Sequence, residues 1–279
     1  MHPGNEQRVR AEYDRPMGQN STAARPERPE WQSRIEERWE QVKPRAFRLT
    51  REVVPGVYQV RTRGSRAYLL VEDDITLVDT GNMGSGIRLL EGLKEIGRSA
   101  DDIKHIIITH CHVDHVGGLP EIQKYVPART AVHLLEAPQL ESSDPLPNPF
   151  QHQLLAKLLE RWVLRLDPGS ARVDLHLSDG DTLPVLGGLR IVHAPGHTAG
   201  SISLYVPDRR LLMVGDAMQF KFGRLMAPSR LFTEDMRAAT TSIRKLAALD
   251  FETLCFSHFR PILISAGDRV REFAETLPD

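Results

Sequence analysis

Cysteine is scarce in this chain: only Cys111 and Cys255 occur in 279 residues. Two thiols cannot build a disulfide framework, so a reducing compartment fits. No stretch approaches the roughly 18 consecutive apolar residues of a membrane-spanning helix. The opening residues, MHPGNEQRVR, lack the apolar segment of a secretory signal, and a cytoplasmic protein is expected. Charge of one sign is not in excess either, with 36 Lys and Arg against 37 Asp and Glu and a net charge of −1. Nothing at this level attracts polyanions, so neither nucleic acid nor a membrane is expected as a partner, and a small-molecule substrate is. What the chain has is 41% hydrophobic and 26% charged residues, the composition of a globular protein with a sizeable core.

Residues 1 to about 30 are rich in Arg, Glu, Pro, Gly, Asn and Gln and nearly free of aliphatic side chains. Such a segment buries too little apolar surface to order itself, so residues 1–44 are expected to form a flexible extension. Within it, Glu30 to Val42 has Trp31, Ile35 and Trp39 at helical spacing, which predicts a short helix that docks on the domain or forms a homodimer contact. Residues 45–279 form the main domain. Val57 to Gly81 reads as three strands broken at Arg63–Gly64 and Asp73–Asp74. Ile87 to Ile96 has helical spacing and ends at Gly97. Ile103 to Thr109 is a β-branched run, hence a buried strand, and Thr130 to Leu134 is another. A helical insertion at about 138–172 carries Leu154, Leu155, Leu158, Leu159, Trp162 and Leu166 on one face. Strands from Asp174 to Gly215, a helix near Thr233 to Leu249 and a strand at Thr253 to Phe256 complete an α/β pattern.

The chemistry is concentrated in Thr109-His110-Cys111-His112-Val113-Asp114-His115, directly after a buried strand. Histidines two apart in extended backbone face one side, and imidazole with carboxylate suits a borderline cation such as Zn²⁺. Three more ligand-type residues, His197, Asp216 and His258, each follow an apolar strand. Side chains at strand ends can converge on one sheet edge.

Taken in order, VDTG (Val78 to Gly81), THCHVDH, APGHTAGS (Ala194 to Ser201), GD (Gly215 to Asp216) and SH (Ser257 to His258) resemble the metallo-β-lactamase superfamily over about Pro55 to Ile264. The resemblance implies a four-layered αββα sandwich with metals at the edge of two facing sheets. It further implies that His110, His112 and His197 hold one metal and that Asp114, His115 and His258 hold a second, with Asp216 bridging. Asp79 resembles an aspartate that orients the ligand loop from behind. Two Zn²⁺ ions per chain are expected, with Fe or Mn as alternatives. A water bridging them would have a pKa of roughly 7, and the hydroxide so formed would attack the substrate. Asp114 is the candidate catalytic residue, orienting that hydroxide or passing a proton.

The remaining histidines read as structural: His105 and His133 within strands, His193 at a strand end, His152 and His176 at the surface. Cys111 points away from its histidine neighbours and reads as a small buried hydrophobe. Trp162 in the insertion and Met218, Phe220 and Phe222 in the loop after Asp216 are candidate substrate contacts; the insertion reads either as a roof over the site or as cover for a sheet edge, and the loop equally as substrate surface or as packing.

Among the branches of the family, Asp216 argues against β-lactam hydrolysis, and the 21 residues after His258 leave no room for the helical glutathione-binding region of glyoxalase II enzymes. The family's lactonases often carry a tyrosine where this chain has Ala217 to Gln219. The expected reaction is hydrolysis of an ester, lactone or thioester. The alternatives are a mononuclear iron enzyme similar to persulfide dioxygenases, and a phosphodiesterase.

Overall fold

The computed structural model describes residues 3–15, 48–152, 154, 156–159 and 167–278. The helix expected at Glu30 to Val42 and the side chains of Leu155, Trp162 and Leu166 lie outside these residues. A seven-stranded sheet runs in the order β1 (Thr50–Val54), β2 (Val57–Arg61), β3 (Arg66–Val71), β4 (Ile75–Val78), β5 (Ile103–Ile108), β6 (Arg129–His133) and β7 (Leu175–Leu177). Its first four strands form antiparallel neighbours, and β4 to β7 pair in parallel. The second sheet has the order β14 (Thr253–Cys255), β11 (Leu211–Met213), β10 (Ile202–Val206), β9 (Leu189–His193) and β8 (Thr182–Leu183).

Period-two alternation explains how two sheets yield four layers. On β3, Tyr68 and Leu70 face the space between the sheets, while Ala67 and Leu69 face the other way. Ile107 of β5 likewise faces inward between outward Ile106 and Ile108. From the second sheet Leu189, Ile191, Leu204, Leu211 and Met213 meet them, whereas Tyr205 and Leu212 point outward. Strands covered on both faces need apolar residues at every position, which is why β4, β5, β10 and β11 read as near-continuous apolar runs.

Helices close the outer faces. Leu89 and Leu93 of α2 (Gly86–Glu95) and, beyond the one-turn α3 (Val113–Val116), Leu119 and Ile122 of α4 (Leu119–Tyr125) cover the larger sheet. A short α5 (Ala137–Glu141) adds Ala137 and Leu140. Ile243 and Leu246 of α6 (Met236–Ala247) and Val270 and Ala274 of α7 (Ala266–Glu275) cover the smaller. The side chain of Asp235 caps α6 by accepting the amides of Arg237 and Ala238. The αββα sandwich expected from the motifs is therefore present. The sequence pattern did not reveal β1, α7 or the hairpin of β12 (Gln219–Lys221) and β13 (Arg224–Met226).

The N-terminal segment departs from expectation. Pro3–Tyr13 forms a helix, α1, whose Val9 and Tyr13 are buried in the inter-sheet core. The Tyr13 ring stacks on His105 with centroids 3.6 Å apart, and its hydroxyl bonds the Thr76 hydroxyl at 3.0 Å. Composition suggested an unordered segment, but Val9 and Tyr13, one turn apart on the same helix face, suffice to dock it on a ready-made apolar edge. None of the helices among the described residues is long and apolar enough to cross a membrane.

Candidate metal centre

All the ligand-type residues sit just past the ends of strands at one edge of the sandwich. Asp79 follows β4, the 110–115 segment follows β5, His197 follows β9, Asp216 follows β11 and His258 follows β14. Parallel pairing of β4 with β5 and of β11 with β14 sends those chain ends the same way. The two sheets then bring the halves together.

Three overlapping groups result: His110, His112 and His197; His110, His115 and Asp216; and Asp114, His115 and His258. Within each, one ligand atom per residue lies within 4.8 Å of the others. Asp216 reaches imidazoles of both the His110, His112 and His197 group and the Asp114, His115 and His258 group, with carboxylate oxygens 3.6 Å from His197 Nε2, 3.7 Å from His115 Nε2 and 3.1 Å from His258 Nε2. Asp114 Oδ2 is 3.3 Å from His258 Nε2. All seven sequence-derived ligand candidates are thus brought to one place.

The partners behind the rings decide which nitrogen faces that place. His115 Nδ1 donates to Asp79 Oδ2 at 2.8 Å, and His258 Nδ1 donates to the Gly64 carbonyl at 3.2 Å. His197 Nδ1 lies 3.3 Å from the Thr233 hydroxyl. His110 Nδ1 lies 3.1 Å from the Thr109 hydroxyl, which itself donates to Asp79 Oδ2 at 2.8 Å. In these four rings Nδ1 is occupied and Nε2 is left to ligate. His112 is the exception, presenting Nδ1 at 3.0 Å from His197 Nε2.

This donor set fits divalent cations. The Nε2 atoms of His110 and His115 are buried and have no hydrogen-bond partner among the described residues. A buried polar atom without a partner costs roughly 1–3 kcal/mol, so two aimed at one point call for something that binds there. Electrostatics agrees. Burial, reinforced by the neighbouring imidazoles, pushes His110 well below its ordinary pKa, and burial lowers His197 to about 3 despite Asp216, so both are neutral as ligation requires. At His115 burial again opposes charge, but the carboxylates of Asp114, Asp79 and Asp216 outweigh it and raise the group to about 10. Burial of Asp216 would favour its neutral form, yet the imidazoles of His115 and His258 prevail and hold its carboxyl far below the usual range. The centre is a field that favours positive charge beside neutral nitrogen donors.

Several supporting residues were not legible in the sequence. Glu136, fully buried just after β6, accepts the Cys111 amide on one oxygen and the Thr198 hydroxyl and Gly200 amide on the other. The buried Tyr68 hydroxyl donates to the Phe256 carbonyl at 2.7 Å and accepts from Gln59 Nε2 at 2.6 Å, and Arg66 donates to the His258 carbonyl. Only one signal could have exposed Glu136: like the ligands, it is a polar residue immediately after an apolar strand at the active edge.

The candidate substrate contacts fare differently. Met218 is 1% exposed and packs in the outer core with Ile243 and Phe256, so it is core and not open substrate surface. Phe220 stacks near Phe256 with centroids 6.0 Å apart and is partly buried against the same cluster. Phe222 is 98% exposed at the tip of the β12–β13 hairpin. Trp162 lies outside the described residues. The insertion is tied to the loop after Asp216 by the Gln151 amide, which donates to the Leu231 carbonyl at 2.9 Å, and by Phe150 against Phe232. Leu154 and Leu158 on it are 72% and 76% exposed. His105 and His133 are structural as expected, the latter stacked on His193 with centroids 4.2 Å apart. Cys111 is buried, and burial next to Glu136 raises its thiol far from thiolate formation.

The sequence model of the metallo-beta-lactamase superfamily matches residues 60–258, spanning every one of these ligand residues. The chain belongs to that superfamily. Members similar to it include the Bacillus subtilis (strain 168) protein named Probable metallo-hydrolase YflN, 29% identical over 230 residues, 76% of this chain and 86% of that protein. A hydroxyacylglutathione hydrolase of Cereibacter sphaeroides (strain ATCC 17023) is 30% identical over 187 residues, which are 66% of this chain and 57% of that enzyme. Among superfamily structures, a metallo-beta-lactamase family protein from Thermus thermophilus superposes with a TM-score of 0.61 at 24% identity, covering 80% of each chain. As a superfamily member the chain is a metal-binding hydrolase.

Proposed function

We propose that this chain is a binuclear hydrolase that cleaves the ester, lactone or thioester bond of a small-molecule substrate, with thioesters foremost. The observation that carries the binuclear reading is Asp216, whose two oxygens reach His197 from the histidine trio and His115 and His258 from the group they form with Asp114. His110, His112 and His197 would hold one ion, Asp114, His115 and His258 the other, and Asp216 would touch both. Zinc suits the nitrogen-rich set. Bound ions supply Lewis acidity and a water acidic enough to attack at neutral pH.

The chain's own residues supply orientation. Asp114, about a quarter exposed at its side chain, is the ligand candidate placed to hold a proton between the attacking water and solvent. Its backbone carbonyl is fixed by the Ser65 hydroxyl at 2.5 Å. Asp79 and Thr109 hold the rings of His115 and His110 from behind. The preference for thioesters draws on the similarity to a hydroxyacylglutathione hydrolase. The insertion, anchored beside Leu231 and Phe232, is proposed to border the substrate, with its exposed leucines favouring an apolar acyl portion.

The test is metal analysis of chain purified without chelator, followed by turnover on ester, lactone, thioester and phosphodiester panels. Two equivalents of zinc and thioester cleavage are expected, with His112→Ala and Asp216→Ala inactive yet folded. One equivalent of iron with oxygen consumption, cleavage of phosphodiesters alone, or wild-type rates from either variant would overturn the proposal.

A further inference from the structure

Glu136 is an unusual group to find at full burial: a carboxylate on no catalytic path, with no ion-pair partner among the described residues. Its oxygens are satisfied by three donors, the Cys111 amide at 2.8 Å, the Thr198 hydroxyl at 2.7 Å and the Gly200 amide at 2.8 Å. Cys111 lies between His110 and His112, and Thr198 directly follows His197. One side chain therefore grips the two backbone segments that carry the first histidine trio, one from each sheet. The neighbourhood is shaped around it. A Cβ at Gly200 would lie 2.5 Å from Glu136 Cγ, so only glycine permits this approach. The Ser201 hydroxyl accepts the Thr198 amide at 3.0 Å and lies 2.8 Å from the Thr198 hydroxyl, leaving the Thr198 proton for Glu136.

The second trio is held by other means: His115 by Asp79, His258 by Gly64 and the Tyr68–Phe256 bond, Asp114 by Ser65. We infer that Glu136 is a positioning residue selective for the metal position of His110, His112 and His197, setting the spacing of its two ligand loops and placing a buried negative charge behind them. This rests on the two-ion reading above, but not on any choice of substrate. Burying an anion without a cationic side chain is costly, and a dication bound a few residues away offsets that cost. Residues behind a metal's ligands typically govern affinity by about 10–100-fold.

The experiment is zinc titration of the full chain against a chromophoric chelator, with the Co²⁺ absorption spectrum recorded in parallel. His112→Ala and His258→Ala assign the two binding phases by abolishing one each. Glu136→Gln, which keeps the shape but removes the charge and one acceptor, should weaken the phase that His112→Ala abolishes by about 10–100-fold. It should leave the other phase unchanged and alter only one set of Co²⁺ bands. A general packing role would instead lower the melting temperature of the chelator-treated protein and affect both phases alike. Equal loss from both phases, or loss from neither, overturns the inference. If Glu136→Gln does not fold, Thr198→Val carries the test: it removes one donor and retains the charge. A smaller loss confined to the same phase supports the inference, and unchanged affinity overturns it. A wild-type chain that binds no zinc overturns the two-ion reading along with this one.

Discussion

Asp79 accepts the Nδ1 proton of His115 at 2.8 Å from a backbone held at φ +58°. The left-handed conformation turns its carboxylate back under the ligand loop, where its other oxygen accepts the Thr109 amide at 2.8 Å. Aspartate and asparagine tolerate this region better than other residues with a side chain.

Asp79→Asn therefore isolates the hydrogen bond from the backbone. The variant should fold, but its amide cannot accept from Thr109 and His115 together. Zinc affinity at the position involving His115 should fall by about 10–100-fold, read by chelator competition. Unchanged affinity would show that His115 needs no such support.

Tyr68→Phe deletes a hydroxyl that serves two buried groups, the Phe256 carbonyl and the Gln59 amide. The carbonyl loses this donor and the amide keeps only its bond to the Phe259 carbonyl at 3.3 Å, a loss of about 1–3 kcal/mol measurable as a lower urea midpoint. Since Phe256 lies two residues before His258, turnover should decline as well.

Gly196→Ala drives a methyl into the backbone of Ala239 in α6, at a glycine with φ +131°. Backbone cannot yield as a flexible side chain does. The loop must move, carrying His197 with it, and destabilisation of about 3 kcal/mol is expected together with loss of activity. Wild-type turnover from this variant would mean the loop relaxes without moving its histidine.

Burial and the nearby Arg129 lower the pKa of His105 from 6.5 to about 4. Between those values the unfolded chain binds more protons than the folded one. The contribution of His105 is thus complete above pH 6.5 and is lost as pH falls towards 4, a loss on the order of 3 kcal/mol. Tyr13→Ala uncovers the ring, so the His105 pKa should rise towards 6.5 and that part of the acid sensitivity should flatten. NMR titration together with urea melts at several pH values would reveal either outcome. A His105 pKa untouched by the substitution would mean that α1 does not shield it.

The ligand set was readable because its chemistry is local. THCHVDH puts four donors beside one strand end, and His197, Asp216 and His258 each follow an apolar run that could only be a buried strand. The four-layered arrangement came with the family resemblance those motifs carry; by themselves the covered strands showed only as continuous apolar segments of an α/β chain. Glu136, Tyr68 and Gln59 were not readable, because in sequence each is an ordinary polar residue in or after a strand, and their role depends on a partner 25 to 200 positions away. Likewise α1 looked too polar to order, since the surface that receives Val9 and Tyr13 is assembled from strands far along the chain.

Residue identity and strand-end placement thus determined which groups could bind a cation and on which sheet edge they would emerge. Tertiary structure alone decided which ring nitrogen faces inward, which oxygens stand behind it, and that Met218 belongs to the core. Side-chain type sets what an atom can donate or accept. Direction and burial depend on neighbours that only folding brings within hydrogen-bonding distance.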